Sequence, residues 1–334
     1  MTRIDHVTIA GDGQMAVALA VLLAEAGTRT VIWSPFPRAA EELERTRVSP
    51  RLPEAPLPTG TTVTADAPAA LRSTQLVVNA IPTQFIRPTW QKLAPHLAPG
   101  AAVVSVAKGI EERTLLRPSQ VLEACCPGAE VAVLSGPTIA AELARHMPAI
   151  MVSASTSAAL AERVQRTFSL PTLRIYTNED VVGVEIAGAA KNVVAIAAGL
   201  IDGLELGSNC KSALLARGLA EIVRLGAALG AKAETFFGIA GVGDLATTCF
   251  SPEGRNRSCG EAIGRSETLE AYMARSQSVV EGVATARSIL ALAQAHGVDM
   301  PIVRAVEAIL FRGLQPADAI RALMTRTAGP ERVG

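Results

Sequence analysis

The chain has 334 residues, of which 49% are apolar and 19% charged, and its formal net charge is zero. That length holds two domains with cores of their own. The neutral balance argues against nucleic acid or an anionic membrane as the main partner, while leaving room for a local basic site that takes a small phosphorylated ligand.

The five cysteines, Cys125, Cys126, Cys210, Cys249 and Cys259, form no C-x-x-C pair, which points to a reduced, cytoplasmic compartment. The start, M-T-R-I-D-H-V-T-I-A, carries no signal-peptide pattern. The four histidines, His6, His96, His146 and His296, are scattered without metal-ligand spacing, and no G-x-S-x-G elbow occurs. No metal site is expected, and lysine is left as the best proton carrier.

His6 to Ala10 reads as a buried strand, followed directly by Gly11-Asp12-Gly13-Gln14-Met15-Ala16 and then an Ala/Leu-rich helix, Val17 to Ala26, ending at Gly27. Strand, G-x-G-x-x-A and helix is the dinucleotide-binding order: Gly11 and Gly13 permit a tight turn and close approach of a pyrophosphate, and Ala16 replaces the third glycine. The helix start offers free N–H groups to phosphate. The next strand, Thr30 to Trp33, ends in Ser34-Pro35 with Arg38 nearby, not in the acid that grips a ribose 2′-hydroxyl. That absence favours NADP(H), or tolerance of its 2′-phosphate, over strict NAD(H).

Further strands are expected at Thr61–Thr64, Gln75–Ala80, Ala102–Val106, Glu130–Leu134, Ile150–Ala154 and Leu173–Thr177, with helices between most of them, as in a parallel, doubly wound sheet. The proline-rich stretch from Ser49 to Gly60 reads as an irregular loop. Lys108, directly after a strand, suits donation to a phosphate or carbonyl oxygen, or is a surface lysine at a turn. Ser135-Gly136-Pro137-Thr138 reads as a turn into a helix through Arg145.

After Asn178-Glu179-Asp180 the pattern becomes helical almost throughout. The boundary therefore divides a dinucleotide-binding domain, 1–180, from an all-α domain, 181–334. Gly183 to Ile201 opens the second, with Glu185, Lys191 and Asn192 set among small and aliphatic residues. About five turns would hold it, and the charges make it a core helix, with no stable membrane insertion. A buried ammonium is held at lowered pKa, which suits a proton donor near neutral pH; alternatively the lysine head reaches water. A long helix from Asn209 to Leu229 follows, then glycine-rich Ile239 to Leu245 ending in Asp244-Leu245, then Thr247, Thr248 and Cys249. Gly254-Arg255-Asn256-Arg257 opens another helix, where a guanidinium and free N–H groups suit a phosphate, or simply form a solvated basic turn. Val279-Val280-Glu281-Gly282 and Pro301 begin further helices, and the end from Ala328 looks frayed.

Together, G-D-G-Q-M-A, V-A-K-G, S-G-P-T, G-A-A-K-N-V, A-G-V-G-D-L, G-R-N-R and V-V-E-G, in that order over nearly the whole chain, closely resemble the bacterial-type NAD(P)-dependent sn-glycerol-3-phosphate dehydrogenases. The resemblance implies an N-terminal Rossmann-like sheet, a helical substrate domain, and NADP(H) or NAD(H) as cofactor. It implies reversible hydride transfer with dihydroxyacetone phosphate, giving sn-glycerol 3-phosphate for glycerophospholipid synthesis. It makes Lys191 the proton carrier and puts Lys108, Gly136, Thr138, Asp244, Arg255 and Asn256 on substrate positions. Gln14, Met15, Lys108, Ala140, Arg255, Val279 and Glu281 fall on cofactor positions, and Asn192 and Thr248 lie beside them in the site.

The chain departs from the family at Asp12, Gln14, Met15 and Ala16, where Ala, Ser, an aromatic and Gly are usual, and at Gly254, commonly Ser. Asp12 puts a negative charge close to the pyrophosphate loop. Two other readings follow from the same residues: a sister dehydrogenase of 2-hydroxy-acid type, and a non-catalytic nucleotide-binding sensor supported by the unusual loop. An aliphatic helical domain can also bury a homodimer interface.

Overall fold

The computed structural model describes residues 4–276 and 278–327; the end expected to fray from Ala328 lies outside them. The chain divides into two compact units. One comprises residues 1–107 and 118–181, the other residues 108–117 and 182–334. The short segment Lys108–Arg117 thus packs with the helical unit, although it leaves a strand of the first.

The first unit carries eight strands: β1 (His6–Ala10), β2 (Arg29–Trp33), β3 (Thr61–Thr64), β4 (Leu76–Asn79), β5 (Ala102–Ser105), β6 (Val131–Ser135), β7 (Ala149–Ala154) and β8 (Leu173–Asn178). Their order across one sheet is β3-β2-β1-β4-β5-β6-β7-β8. From β3 to β6 all pairs are parallel, with register set by Ile9 opposite Ile32 and Val78 opposite Val104. β1, β2, β4, β5 and β6 are buried along nearly their whole length because helices cover both faces, whereas the edge strand β3, Thr-Thr-Val-Thr, alternates. The order reverses between β1 and β4, where folds of this kind bind ligands at the carboxyl edge.

The sequence pattern leads one to expect a parallel sheet, but the sheet is not parallel throughout. β7 runs antiparallel to β6, and β8 then pairs parallel to β7. Helix length does not decide this, since the helix after β6, Ala140–Ala144, has five residues and so does Ala67–Leu71, which joins the mutually parallel β3 and β4; a short apolar run simply reads the same in either direction.

Polar side chains at the strand ends are tied to one another. The Trp90 indole donates to Asn79 Oδ1 at 2.8 Å, and Asn79 Nδ2 donates to Ser105 Oγ at 3.1 Å. The loop between Ser49 and Gly60 is irregular, as its prolines require. It is anchored where Arg47 donates to the carbonyls of Pro58 (2.7 Å) and Thr61 (2.6 Å).

The second unit is helical among its described residues. Its centre is the helix Val181–Gly203, 23 residues long and buried from Gly183 to Ile201. By length and hydropathy it could cross a membrane, but 89% of its apolar window is buried inside the protein. Around it pack Gly207–Ala228, Asp244–Phe250, Arg255–Gly264, Glu281–Ala295 and Pro301–Arg312. The helix Arg255–Gly264 approaches the central helix backbone to backbone. A Cβ at Gly260 would lie 2.0 Å from Ile196 O, and one at Gly199 would lie 1.9 Å from Arg257 O. Any side chain there would force the helices apart, so glycine on both partners sets the separation.

Candidate active site

In the helical unit, the Lys191 ammonium does not reach water. The residue is 5% exposed, and Nζ donates to Asp244 Oδ1 and Thr248 Oγ1, both at 2.6 Å. Asp244 opens the helix Asp244–Phe250, where the free N–H end favours a carboxylate. Thr248 stands four residues on, on the same helical face, so both point at one ammonium. The turn before this helix, Ile239–Gly243, is a single π-type turn broken at Gly241. The glycine-rich stretch marked a turn, but spacing alone gives no hint of its π geometry.

The other oxygen of Asp244 takes a second ammonium: Lys108 Nζ donates to Oδ2 at 2.7 Å. Two cations therefore share one carboxylate whose side chain is 2% exposed, while the Lys108 side chain stays 18% exposed. Burial lowers the Lys191 pKa to about 8; the Lys108 charge adds to the lowering and Asp244 opposes it. Burying an ammonium disfavours its charge, and a single shared anion restores only part of the loss.

Neighbouring polar groups complete a chain of hydrogen bonds. Asn192 Nδ2 donates to Lys108 O at 2.9 Å, and Asn256 Nδ2 donates to Asn192 Oδ1 at 2.9 Å. The Gly282 amide then donates to Asn256 Oδ1 at 2.9 Å. Three helices and the Lys108 segment are fixed together by these bonds. Arg255 begins the helix Arg255–Gly264, with Gly254 as its cap; part of the residue is exposed, yet desolvation around the guanidinium lowers its pKa and the Glu281 charge opposes that. Val279 is exposed, and Glu281 opens the helix Glu281–Ala295. The other charge of the central helix, Glu185, is an ion-pair partner of Arg117. Among the described residues, no three His, Cys, Asp or Glu side chains gather as metal ligands.

In the sheet unit, the glycine loop lies at the carboxyl ends of β1, β2 and β4. The Gly11 amide donates to Trp33 O at 2.8 Å, joining the ends of β1 and β2. Gly11 has φ +121°, and a Cβ on it would meet Ala80 O at 2.9 Å, so glycine is demanded twice. At Gly13, by contrast, a Cβ would meet nothing within 4 Å. Packing does not require glycine there; its effect is to leave open ground before the helix Gln14–Glu25, whose first-turn N–H groups have no acceptor within the helix. That cradle fits the pyrophosphate of a dinucleotide.

Met15 packs on the sheet core and Ala16 is fully buried, so what they can offer a phosphate is the backbone N–H of the first helical turn rather than a side chain. Ser34 is buried at the end of β2, and Arg38 is exposed on the helix Pro37–Thr46. Gly136 and Thr138 form the turn after β6, where Thr138 Oγ1 donates to Gly136 O at 3.1 Å, and Ala140 starts the short helix beyond.

The negative charge of Asp12 is not left open to the loop. Arg51 Nη1 donates to Asp12 Oδ1 at 3.0 Å, and Ser34 Oγ donates to Oδ2 at 2.6 Å. Sequence reasoning missed Arg51, because an arginine in a proline-rich loop carries no periodicity or motif. It missed the Gly282 amide for the opposite reason: a backbone donor leaves no trace in residue type.

Comparison with known proteins matches residues 6–161 to the NAD-dependent glycerol-3-phosphate dehydrogenase N-terminus and residues 180–321 to its C-terminus. A glycerol-3-phosphate dehydrogenase [NAD(P)+] of Salinibacter ruber is 44% identical over 97% of this chain and 96% of that protein. One from Thermobifida fusca is 44% identical over 98% of this chain and 99% of that protein. The crystal structure of glycerol-3-phosphate dehydrogenase from Coxiella burnetii superposes with a TM-score of 0.93 at 31% identity, covering 97% of this chain and 99% of that one.

Proposed function

The chain belongs to the NAD-dependent glycerol-3-phosphate dehydrogenase family, and from that premise we propose how its own residues carry the reaction. It is an NAD(P)-dependent oxidoreductase acting on the secondary alcohol of sn-glycerol 3-phosphate. Oxidation at C2 gives dihydroxyacetone phosphate, and the reverse reduction supplies glycerol phosphate for glycerophospholipid synthesis. The nicotinamide supplies or accepts the hydride; the protein must bind, orient and move the proton.

Lys191 is the proton carrier. In reduction its ammonium gives a proton to the oxygen forming on C2; in oxidation its neutral amine takes the hydroxyl proton. The observation that supports this best is the shared carboxylate, because a buried ammonium lowered to about 8 is acidic enough to give a proton and basic enough to take one. Asp244 holds Lys191 and Lys108 on its two oxygens, and Thr248 fixes the Lys191 head. Lys108 then polarises the carbonyl or steadies the phosphate. The two lysines and one carboxylate carry net positive charge, which suits a phosphorylated substrate and a developing alkoxide.

Arg255 and Asn256, at the start of their helix, bind the substrate phosphate, and Asn192 holds Asn256 and the Lys108 backbone in place. Gly136 and Thr138 add a substrate turn. The cofactor is held by Gly11, Gly13, Gln14 and the first turn after them, with Ser34, Arg38, Lys108, Ala140, Arg255, Val279 and Glu281 as further contacts. The sheet unit serves mainly the cofactor, and the helical unit with its Lys108–Arg117 segment serves mainly substrate and proton transfer. The enzyme works in the cytoplasm, as a homodimer that sedimentation would reveal.

Replacing Lys191 with Ala should leave cofactor binding intact and reduce turnover about 100-fold or more. Following reduced-nicotinamide absorbance on addition of dihydroxyacetone phosphate checks this directly. Normal turnover by Lys191→Ala would remove the assignment.

A further inference from the structure

The end of β2 holds a serine, yet a carboxylate stands at that place all the same. Asp12 belongs to the loop after β1, and its Oδ2 lies 2.6 Å from the Ser34 hydroxyl that ends β2. The two strand ends are locked by the Gly11-to-Trp33 hydrogen bond. In dinucleotide-binding sheets, an acid at the end of the second strand accepts from the ribose 2′-hydroxyl. Here the acid reaches the same corner from the neighbouring strand.

Ser34 is occupied by this arrangement. Its Oγ gives its hydrogen to Asp12 and accepts the Phe36 amide at 3.1 Å. It therefore has no second hydrogen for a 2′-phosphate. Arg51, a cation in the same corner, is likewise engaged, with Nη1 on Asp12 Oδ1. Its backbone is fixed too, since Gln14 Nε2 donates to Arg51 O at 2.7 Å. Asp12 and Gln14, two departures of this loop from the family pattern, thus act on one residue. They form a single coupled unit.

A carboxylate has about four acceptor positions, and Asp12 uses one on each oxygen, so it can still accept from a vicinal ribose diol. The Asp12 side chain is 13% exposed, enough for that contact. A 2′-phosphate in the same place would meet a carboxylate, with the Arg51 guanidinium turned onto that carboxylate through Nη1. We propose that Asp12 is the acceptor for the adenosine ribose hydroxyls, held by Ser34, Arg51 and Gln14, and that it makes the chain select NAD(H) over NADP(H). This is the opposite of what the missing acid at the end of β2 suggests from sequence. It rests on the reading of the chain as a nicotinamide-dinucleotide dehydrogenase.

The test is direct binding without substrate: calorimetric Kd values for NADH and NADPH on the wild type, Asp12→Asn, Ser34→Ala and Arg51→Ala. The wild type should bind NADH at least about tenfold more tightly, the size of a charge-assisted hydrogen bond. Asp12→Asn should erase or invert that ratio, by loosening NADH about tenfold and removing the repulsion felt by NADPH. Ser34→Ala should shrink the ratio less, by freeing the carboxylate, and Arg51→Ala should leave NADPH weak. Wild-type preference for NADPH, an unchanged ratio in Asp12→Asn, or a selective loss of NADPH in Arg51→Ala would overturn the proposal while leaving the dehydrogenase reading intact. Binding of neither cofactor would overturn both.

Discussion

The cluster around Asp244 and the loop around Gly11 both prepare a place for charge, by opposite means. In the helical unit the work is done by side chains, each bonded to the next: Lys108 and Lys191 to Asp244, Lys191 to Thr248, Asn256 to Asn192. Water is excluded, and the Lys191 pKa moves as a result. In the sheet unit the work is done by backbone, with glycine holding ground open at Gly13 and amides waiting at a helix start. The contrast teaches where each site is vulnerable. A buried network fails when a single member loses its charge, whereas a backbone cradle fails when something fills it.

The sharpest way to break the comparison is Asp244→Asn. It leaves two ammoniums facing a neutral amide in a buried place, so the loss is both chemical and structural. Turnover should fall about 100- to 10,000-fold, the range for a disrupted acid–base group. Stability should fall by about 3–5 kcal/mol, as when one partner of a buried ion pair is removed. Steady-state kinetics and thermal melting together check it. Asp12→Asn is the matching change in the sheet unit, and there the melting temperature should scarcely move, because Asp12 and Arg51 both touch solvent.

Glycine substitutions sharpen the same contrast. Gly260→Ala would place a methyl group 2.0 Å from Ile196 O, backbone against backbone, where no side chain can yield. The helix carrying Arg255 and Asn256 would have to move from the one carrying Lys191 and Asn192. A loss of about 1–3 kcal/mol or more is expected, with a raised KM for the phosphorylated substrate. Gly13→Ala meets no protein atom within 4 Å. It should leave the fold as stable as before and weaken dinucleotide binding alone, which calorimetry on both variants would separate.

How much of this was legible in the sequence follows the same division. Strands such as β1 and β5 could be read almost to the residue, because apolar runs flanked by turns signal a sheet covered on both faces. The glycine loop could be read because a tight turn and a close approach restrict residue type. Lys191 drew notice as a charge in an apolar helix, but whether its head was buried depended on Asp244, 53 positions away. No local pattern carries that distance. The antiparallel entry into β7 was hidden because a short apolar run reads the same whichever way the strand runs. Arg51 was hidden because its role depends on Asp12, a partner across 39 positions. Backbone demands are written locally, whereas paired charges are written in two places at once.

Titration separates the two regions by the smallest effect. Lys191 has its pKa lowered from 10.5 to about 8 in the folded protein. Reduction needs its ammonium, so the rate should be flat below about pH 8 and fall about tenfold per pH unit above it. Oxidation needs the neutral amine, so its rate should climb with the same slope and level off near pH 8. The sign for stability follows from the proton count. Between about 8 and 10.5 the unfolded chain keeps the proton that the folded chain has lost, so folding is favoured as pH rises through that window. The destabilisation by the buried ammonium is full below it, which is the structural expense of a usable proton. Binding of the reduced cofactor to the glycine loop, which relies on backbone amides, should stay level from pH 7 to 9. If turnover and cofactor binding shift together with pH, Lys191 is not the group that titrates in the reaction.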